Sequence, residues 1–113
     1  MNLSTEQANG VSIVRVGESR LMYPLLSEFS TVVTQLLTAG EKKLVVDLSE
    51  VGYVDSATIG CLMDLYRQAS AAGGALKLAG VQKRVETMLT MTGAQNFIEV
   101  HPDEPSAVKS FGA

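Results

Sequence analysis

The run Leu44-Val45-Val46-Asp47-Leu48 constrains this chain more than any other stretch. It is almost continuously apolar, so an extended segment here has no polar face and has to be covered on both sides, as strands of a parallel sheet are. Parallel neighbours need crossover connections, usually helices, and the flanking sequence supplies them. From Pro24 onward, Leu25, Leu26, Phe29, Val32, Val33, Leu36 and Leu37 recur at i, i+3, i+4, i+7 spacing, with Ser27, Glu28, Ser30, Thr31, Thr34 and Gln35 between them. That period predicts an amphipathic helix, with Pro24 in its first turn and Gly40 at its exit. A second helix is predicted from about Ser56 to Ala72, with Ile59, Leu62, Met63, Tyr66 and Ala69 facing inward and Gly73-Gly74 ending it.

The remaining segments fit the same plan. Val11-Ser12-Ile13-Val14-Arg15-Val16 reads as a strand that residues 3 to 8 can pair with across an Asn9-Gly10 turn. Ser49 to Val54 reads as a loop, and Leu76 and Leu78 mark a further strand. A third helix is expected from about Gln82 with Val85, Met88 and Leu89 inward and Gly93 as its stop; Phe97-Ile98-Glu99-Val100 reads as a strand, and a short helix is expected after Asp103. The result is one α/β domain over residues 1–113: a mostly parallel four- to five-stranded sheet with an N-terminal hairpin and about four helices. A 46% hydrophobic share over 113 residues is enough for one packed core without disulfides or metals.

Charge and cysteine content narrow the partners. The formal charge of −3 comes from interspersed acids and bases, and no Lys/Arg block is present to neutralise a line of phosphates, so nucleic acid is not an expected partner. Cys61 is the only cysteine, which excludes an internal disulfide and a CxxC metal or redox site. No P-loop or dinucleotide fingerprint occurs, and no cofactor is expected. The first residues carry neither a basic flank nor an apolar core, and no apolar run approaches the roughly 18 residues of a spanning helix, so a cytoplasmic protein without direct membrane insertion is expected.

Chemistry concentrates in Val54-Asp55-Ser56-Ala57-Thr58-Ile59-Gly60, where a strand–loop segment gives way to a helix. Functional groups of open α/β sheets gather at such places. Three roles are open to Ser56. It can be a helix N-cap, worth about 1 kcal/mol. It can be a nucleophile, although the glycines of a G-x-S-x-G elbow are replaced by Val54 and Thr58, and His101, the one histidine, reads as a solvated loop residue beside Pro102. It can also be a phosphorylation site: about −1.5 to −2 charge would be added at the favourable end of a helix dipole, tolerable for the fold but not for a docked acidic or apolar partner.

Leu44-Val45-Val46-Asp47-Leu48, then Val51-Gly52-Tyr53-Val54-Asp55-Ser56, then Ile59-Gly60, together with Gly17 and the segment from Leu76 to Gly93, resembles the STAS-domain family of bacterial anti-sigma factor antagonists. The resemblance spans nearly the whole chain. It implies a STAS-like fold and a regulatory, non-enzymatic protein. Its unphosphorylated form binds an anti-sigma factor that is also a serine/threonine kinase and so frees the sigma factor; phosphorylation ends binding and a serine phosphatase restores it. Carried over, the acceptor is Ser56 with Asp55 as its acidic neighbour. The resemblance also admits a non-switching STAS subunit of a lipid-transport or signalling complex.

This chain departs from the family pattern at Ala57 and Thr58, where Ser or Thr and then Gly are frequent, and Thr58 becomes a rival acceptor. Arg20 stands where an aspartate is frequent, a charge reversal that implies a different partner or a cation facing a phosphate; Arg20 reads equally as a solvated loop residue. Gly60, Asp64, Arg67 and Gln68 form the polar side of the second helix and the expected docking surface; Met22 and Tyr23, just ahead of the first helix, either extend that surface or only staple that helix. Asp64 and Arg67 are spaced to pair for a few tenths of a kcal/mol.

Overall fold

The computed structural model describes residues 1–112. The chain opens with β1 (Leu3–Ala8) and β2 (Val11–Val16), antiparallel in the register Leu3↔Val16 to Ala8↔Val11. Asn9 and Gly10, at φ 53° and 78°, both adopt the left-handed backbone that a tight turn matched to strand twist requires. β3 (Arg20–Leu21), helix α1 (Tyr23–Thr38), β4 (Lys43–Asp47), β5 (Tyr53–Val54) and helix α2 (Ser56–Ala71) follow. Next come β6 (Ala75–Ala79), helix α3 (Lys83–Thr92), β7 (Val100–His101) and helix α4 (Glu104–Lys109).

Among the described residues the main sheet has the order β1-β2-β4-β6-β7, antiparallel at β1–β2 and parallel elsewhere. β4 is central, as its apolar run demands. Leu44 and Val46 face a core shared with Val14, Val16, Leu76 and Leu78, into which α1 sends Phe29 and Val33, α2 sends Leu62 and Leu65, and α3 sends Val85 and Leu89. Val45 points the other way, joining Val11, Ile13 and Ala79 against Ala107 and Val108 of α4. Burying each of these β4 side chains contributes on the order of 2 kcal/mol. β6 begins hard against the segment leading into β4: a Cβ at Gly74 would lie 1.9 Å from the Lys42 carbonyl oxygen, so only glycine fits.

The α4 face is thinner, and polar contacts fix it. A helix of six residues does not hold itself in water. The Asp103 side chain caps α4 by accepting from the Ser106 N–H at 2.9 Å. Arg15 forks onto both carboxylate oxygens of Glu104 at 2.7 Å and also donates to Glu6 at 2.7 Å. Lys77, only 7% exposed, donates to Ser110 Oγ at 2.8 Å and lies 4.1 Å from the centre of the Phe111 ring. The Arg15 fork, helped by a hydrogen bond with Asp47, lowers the Glu104 carboxyl to about 2. Asp47 moves the opposite way, raised first by burial and then by Glu104.

Three expectations are corrected. The segment from Ser49 to Val54 is not all loop, because β5 pairs in parallel with β3, Arg20 against Tyr53 and Leu21 against Val54. Phe97 to Val100 is not a continuous strand. Gly93 turns left-handed at φ 78°, and the N–H groups of Asn96, Phe97 and Ile98 bond back to the Gly93 and Ala94 carbonyls, which satisfies them locally instead of in the sheet. Phe97 is left 59% exposed and only Ile98 is buried. His101 is not in a solvated loop: it belongs to β7, and its Nε2 lies 3.1 Å from Glu99 Oε1.

Because Glu104 ionises more readily in the fold than at its ordinary 4.5, its contribution is complete above pH 4.5 and is lost as pH falls towards 2. Glu104→Gln is expected to lower stability at neutral pH by about 1–2 kcal/mol. It should also flatten the stability loss across that acid window. Urea unfolding at a series of pH values measures both.

Candidate functional site

The helix α2 starts directly after β5, and Asp55 makes the junction. Its backbone is extended, at φ −100° and ψ 175°, and its Oδ1 accepts from the Thr58 N–H at 2.9 Å. This is an N-cap, one residue earlier than the serine that was expected to be able to fill that role. A carboxylate suits it, since its charge faces the positive end of the helix. The same carboxylate reaches a second helix: Oδ2 accepts from the N–H of Tyr23, the first residue of α1, at 3.0 Å.

Thr58 completes the junction from inside. Its hydroxyl lies 2.7 Å from Asp55 Oδ1 and 2.7 Å from the Leu21 carbonyl oxygen on β3, one proton serving two acceptors. Thr58 is fully buried, so the position expected to offer a rival acceptor is closed to any kinase in this fold. Burial works against ionisation of Asp55, but the hydrogen bonds from the Thr58 hydroxyl and from the Tyr23 and Thr58 N–H groups outweigh it and hold the carboxyl below its ordinary value. Asp55 therefore remains ionised near neutral pH.

Ser56 is released from structural duty by this arrangement. It is the first helical residue, exposed, and its hydroxyl has no hydrogen-bond partner among the described residues. Beside it, α1 and α2 leave a groove of about 560 Å³ lined by Tyr23, Pro24, Ala57, Gly60, Cys61 and Asp64. Tyr23 is 73% exposed. A Cβ added at Gly60 would meet nothing within 4 Å. Burial pushes the Cys61 thiol up, so it stays protonated in the groove wall.

The expected docking residues thus separate into two sets. Tyr23, Ala57, Gly60 and Asp64 share the groove, whereas Met22, half-buried, is the N-cap residue of α1, and Arg67 lies outside the lining and pairs with Asp64 at 3.0 Å on the open surface. Arg20 is exposed on β3 with its guanidinium 5.0 Å from the centre of the Tyr53 ring, and among the described residues it has no carboxylate partner. Stacking of this kind contributes about 0.5–1 kcal/mol and leaves the charge available. Sequence reasoning missed the α1 wall of the groove, Ser27 and Ser30 included. It also missed the inward turn of Thr58, although Thr58, Leu62, Leu65 and Ala69 fall on one helical stripe.

Among the described residues no cluster of three or more His, Cys, Asp or Glu side chains can hold a metal, and no helix is long and apolar enough to cross a membrane.

Residues 2–107 match the STAS domain family. The chain belongs to that family. A protein of Thermotoga neapolitana described as an anti-sigma factor antagonist homologue is 27% identical over 70 residues, which is 62% of this chain and 62% of that protein's length. Several solved structures share the fold. A Thermotoga maritima protein described as an anti-sigma factor antagonist superposes with a TM-score of 0.88 at 20% identity, covering 98% of this chain and 95% of that one. The Bacillus cell fate determinant SpoIIAA in its phosphorylated form gives 0.75 at 12% identity, covering 97% and 99%. In this STAS domain, then, the carboxylate at the start of α2 organises the surface around Ser56.

Substitution separates the two neighbours. Asp55→Ala is expected to cost about 2 kcal/mol by uncapping α2 and freeing the start of α1. Ser56→Ala, which removes no bond, should stay within about 0.5 kcal/mol of the parent. Thermal or urea unfolding of the two variants checks the contrast.

Proposed function

We propose that this STAS domain is an anti-sigma factor antagonist whose grip on its partner is switched by phosphorylation of Ser56. The unphosphorylated form binds an anti-sigma factor that is also a serine kinase, and the sigma factor is released. The kinase transfers the γ-phosphoryl group of ATP to Ser56 Oγ, ADP leaves, and the hydroxyl proton is lost to solvent. A serine phosphatase hydrolyses the ester and resets the protein.

The observation that carries the reading is the freedom of one hydroxyl. Ser56 is exposed and unbonded at the first position of α2, while the neighbouring Asp55 and Thr58 are held in hydrogen bonds that build the fold. A phosphate adds about −1.5 to −2 charge there. The helix dipole favours that charge and Asp55 opposes it, so the fold changes little. An interface seated on the groove meets a different balance, since a dianion has to be desolvated against the partner. The relatives described as anti-sigma factor antagonists support the same reading.

The test uses a candidate serine kinase of the anti-sigma factor type. Incubated with that kinase and ATP, the protein is expected to gain one phosphate on Ser56, located by mass spectrometry, and calorimetric titration should show affinity falling about 100-fold or more. Ser56→Ala should bind and resist modification; Ser56→Asp should bind weakly. Phosphate on another residue, or equal affinity with and without it, overturns the switch.

Gly60 gives a second readout. A helix-interior glycine with open space around it costs the fold about 0.8–1 kcal/mol relative to alanine. Gly60→Ala is therefore expected to stabilise the free protein by about that amount, and to weaken partner binding by about tenfold because a methyl group then stands where a partner approaches the helix. Unfolding and titration of the same variant separate the two effects.

A further inference from the structure

The strand β1 is an edge of the main sheet, with no strand on its outer side among the described residues. Which of its backbone groups point outward follows from the hairpin. The two-residue turn makes Ala8 and Val11 a hydrogen-bonded pair, and the Gly17 N–H donates to the Asn2 carbonyl at 2.7 Å just beyond the far end of the strand pair. Antiparallel pairs alternate. Ser4, Glu6 and Ala8 therefore bond inward to β2, and Leu3, Thr5 and Gln7 direct their N–H and C=O groups away from the sheet.

Exposed edges of this length are usually blunted by lysine, proline or a bulge. Leu3-Ser4-Thr5-Glu6-Gln7-Ala8 has no lysine or proline, and its residues pair one-to-one with β2. Its single charge, Glu6, is already engaged by Arg15 at 2.7 Å.

We propose that β1 pairs antiparallel with β1 of a second copy of this chain, forming a two-fold dimer with a continuous sheet. Symmetry selects the register. With Thr5 opposite Thr5 of the second copy, Leu3 meets Gln7 and Gln7 meets Leu3, and every outward-pointing residue enters a hydrogen-bonded pair that exchanges both N–H···O bonds. On the other face Glu6 stands opposite Ser4. The register shifted so that Glu6 faces Glu6 sets like charges together and leaves Leu3 outside the strand pairing. Thr5 thus lies on the two-fold axis. None of these residues belongs to the group around Ser56, so the contact stands independently of the switch.

Sedimentation equilibrium of the whole protein tests this. The wild type is expected to form a reversible dimer as concentration rises through the micromolar range. Thr5→Lys and Thr5→Glu each place like charges across the axis and should each weaken self-association about tenfold or more. An equimolar mixture of the two should recover a dimer at least as tight as the wild type. Thr5→Pro removes only an outward N–H and should give a folded monomer. Thermal unfolding confirms that each variant is folded. A wild type that stays monomeric at high micromolar concentration overturns the proposal. So does a Thr5→Lys dimer as tight as the wild type, or a mixture that fails to recover association.

Discussion

One carboxylate sets the geometry on which the groove between α1 and α2 depends. The two oxygens of Asp55 serve different helices, Oδ1 the first turn of α2 and Oδ2 the first N–H of α1. The starts of the two helices are thereby fixed relative to each other, and so is the mouth of the groove between them. Thr58 extends the tie to the Leu21 carbonyl on β3, which pairs with β5, the strand that leads into Asp55. The loop of interactions closes on itself. Such a network stabilises only when every member is satisfied, and among the described residues no buried side-chain nitrogen or oxygen lacks a partner.

On the proposed reading, adjacent residues here divide two kinds of work. Capping needs an acceptor held still against the helix end, whereas a modifiable hydroxyl needs freedom and access. A serine acting as its own N-cap would have to break that bond to react, with a cost of about 1 kcal/mol to the helix. Placing the acid first and the serine second removes the conflict. The same logic explains why Thr58, with the same functional group two residues later, is structural: the helix carries it onto the stripe of Leu62, Leu65 and Ala69.

Much of this was legible in the sequence, and the failures have definite causes. The double-sided burial of β4 follows from Leu44 to Leu48, and the Asn9-Gly10 hairpin and the glycine at the end of α3 follow from backbone preference alone. β3 and β5 have two residues each, too few to show a period, so they read as loop. Phe97 to Val100 has the residue types of a strand, but the left-handed Gly93 sends the backbone that follows it into a turn, which uses up the N–H groups of Asn96, Phe97 and Ile98. Ser56 and Asp55 were expected together at the start of the second helix and stand there, yet the cap fell to the aspartate. The groove was half-visible, since its α2 wall is contiguous in sequence and its α1 wall lies some thirty residues away.

The two borders of the main sheet are unequal. β7 has only two residues and runs directly into Pro102, which has no N–H to offer a further strand. Sheet extension is thus possible from the β1 side alone. A molecule with one adhesive border and one sterile border can join a single neighbour through it, and the pair then presents sterile borders at both ends, so the hazard of open-ended fibril growth is shut off by the shortness of the last strand.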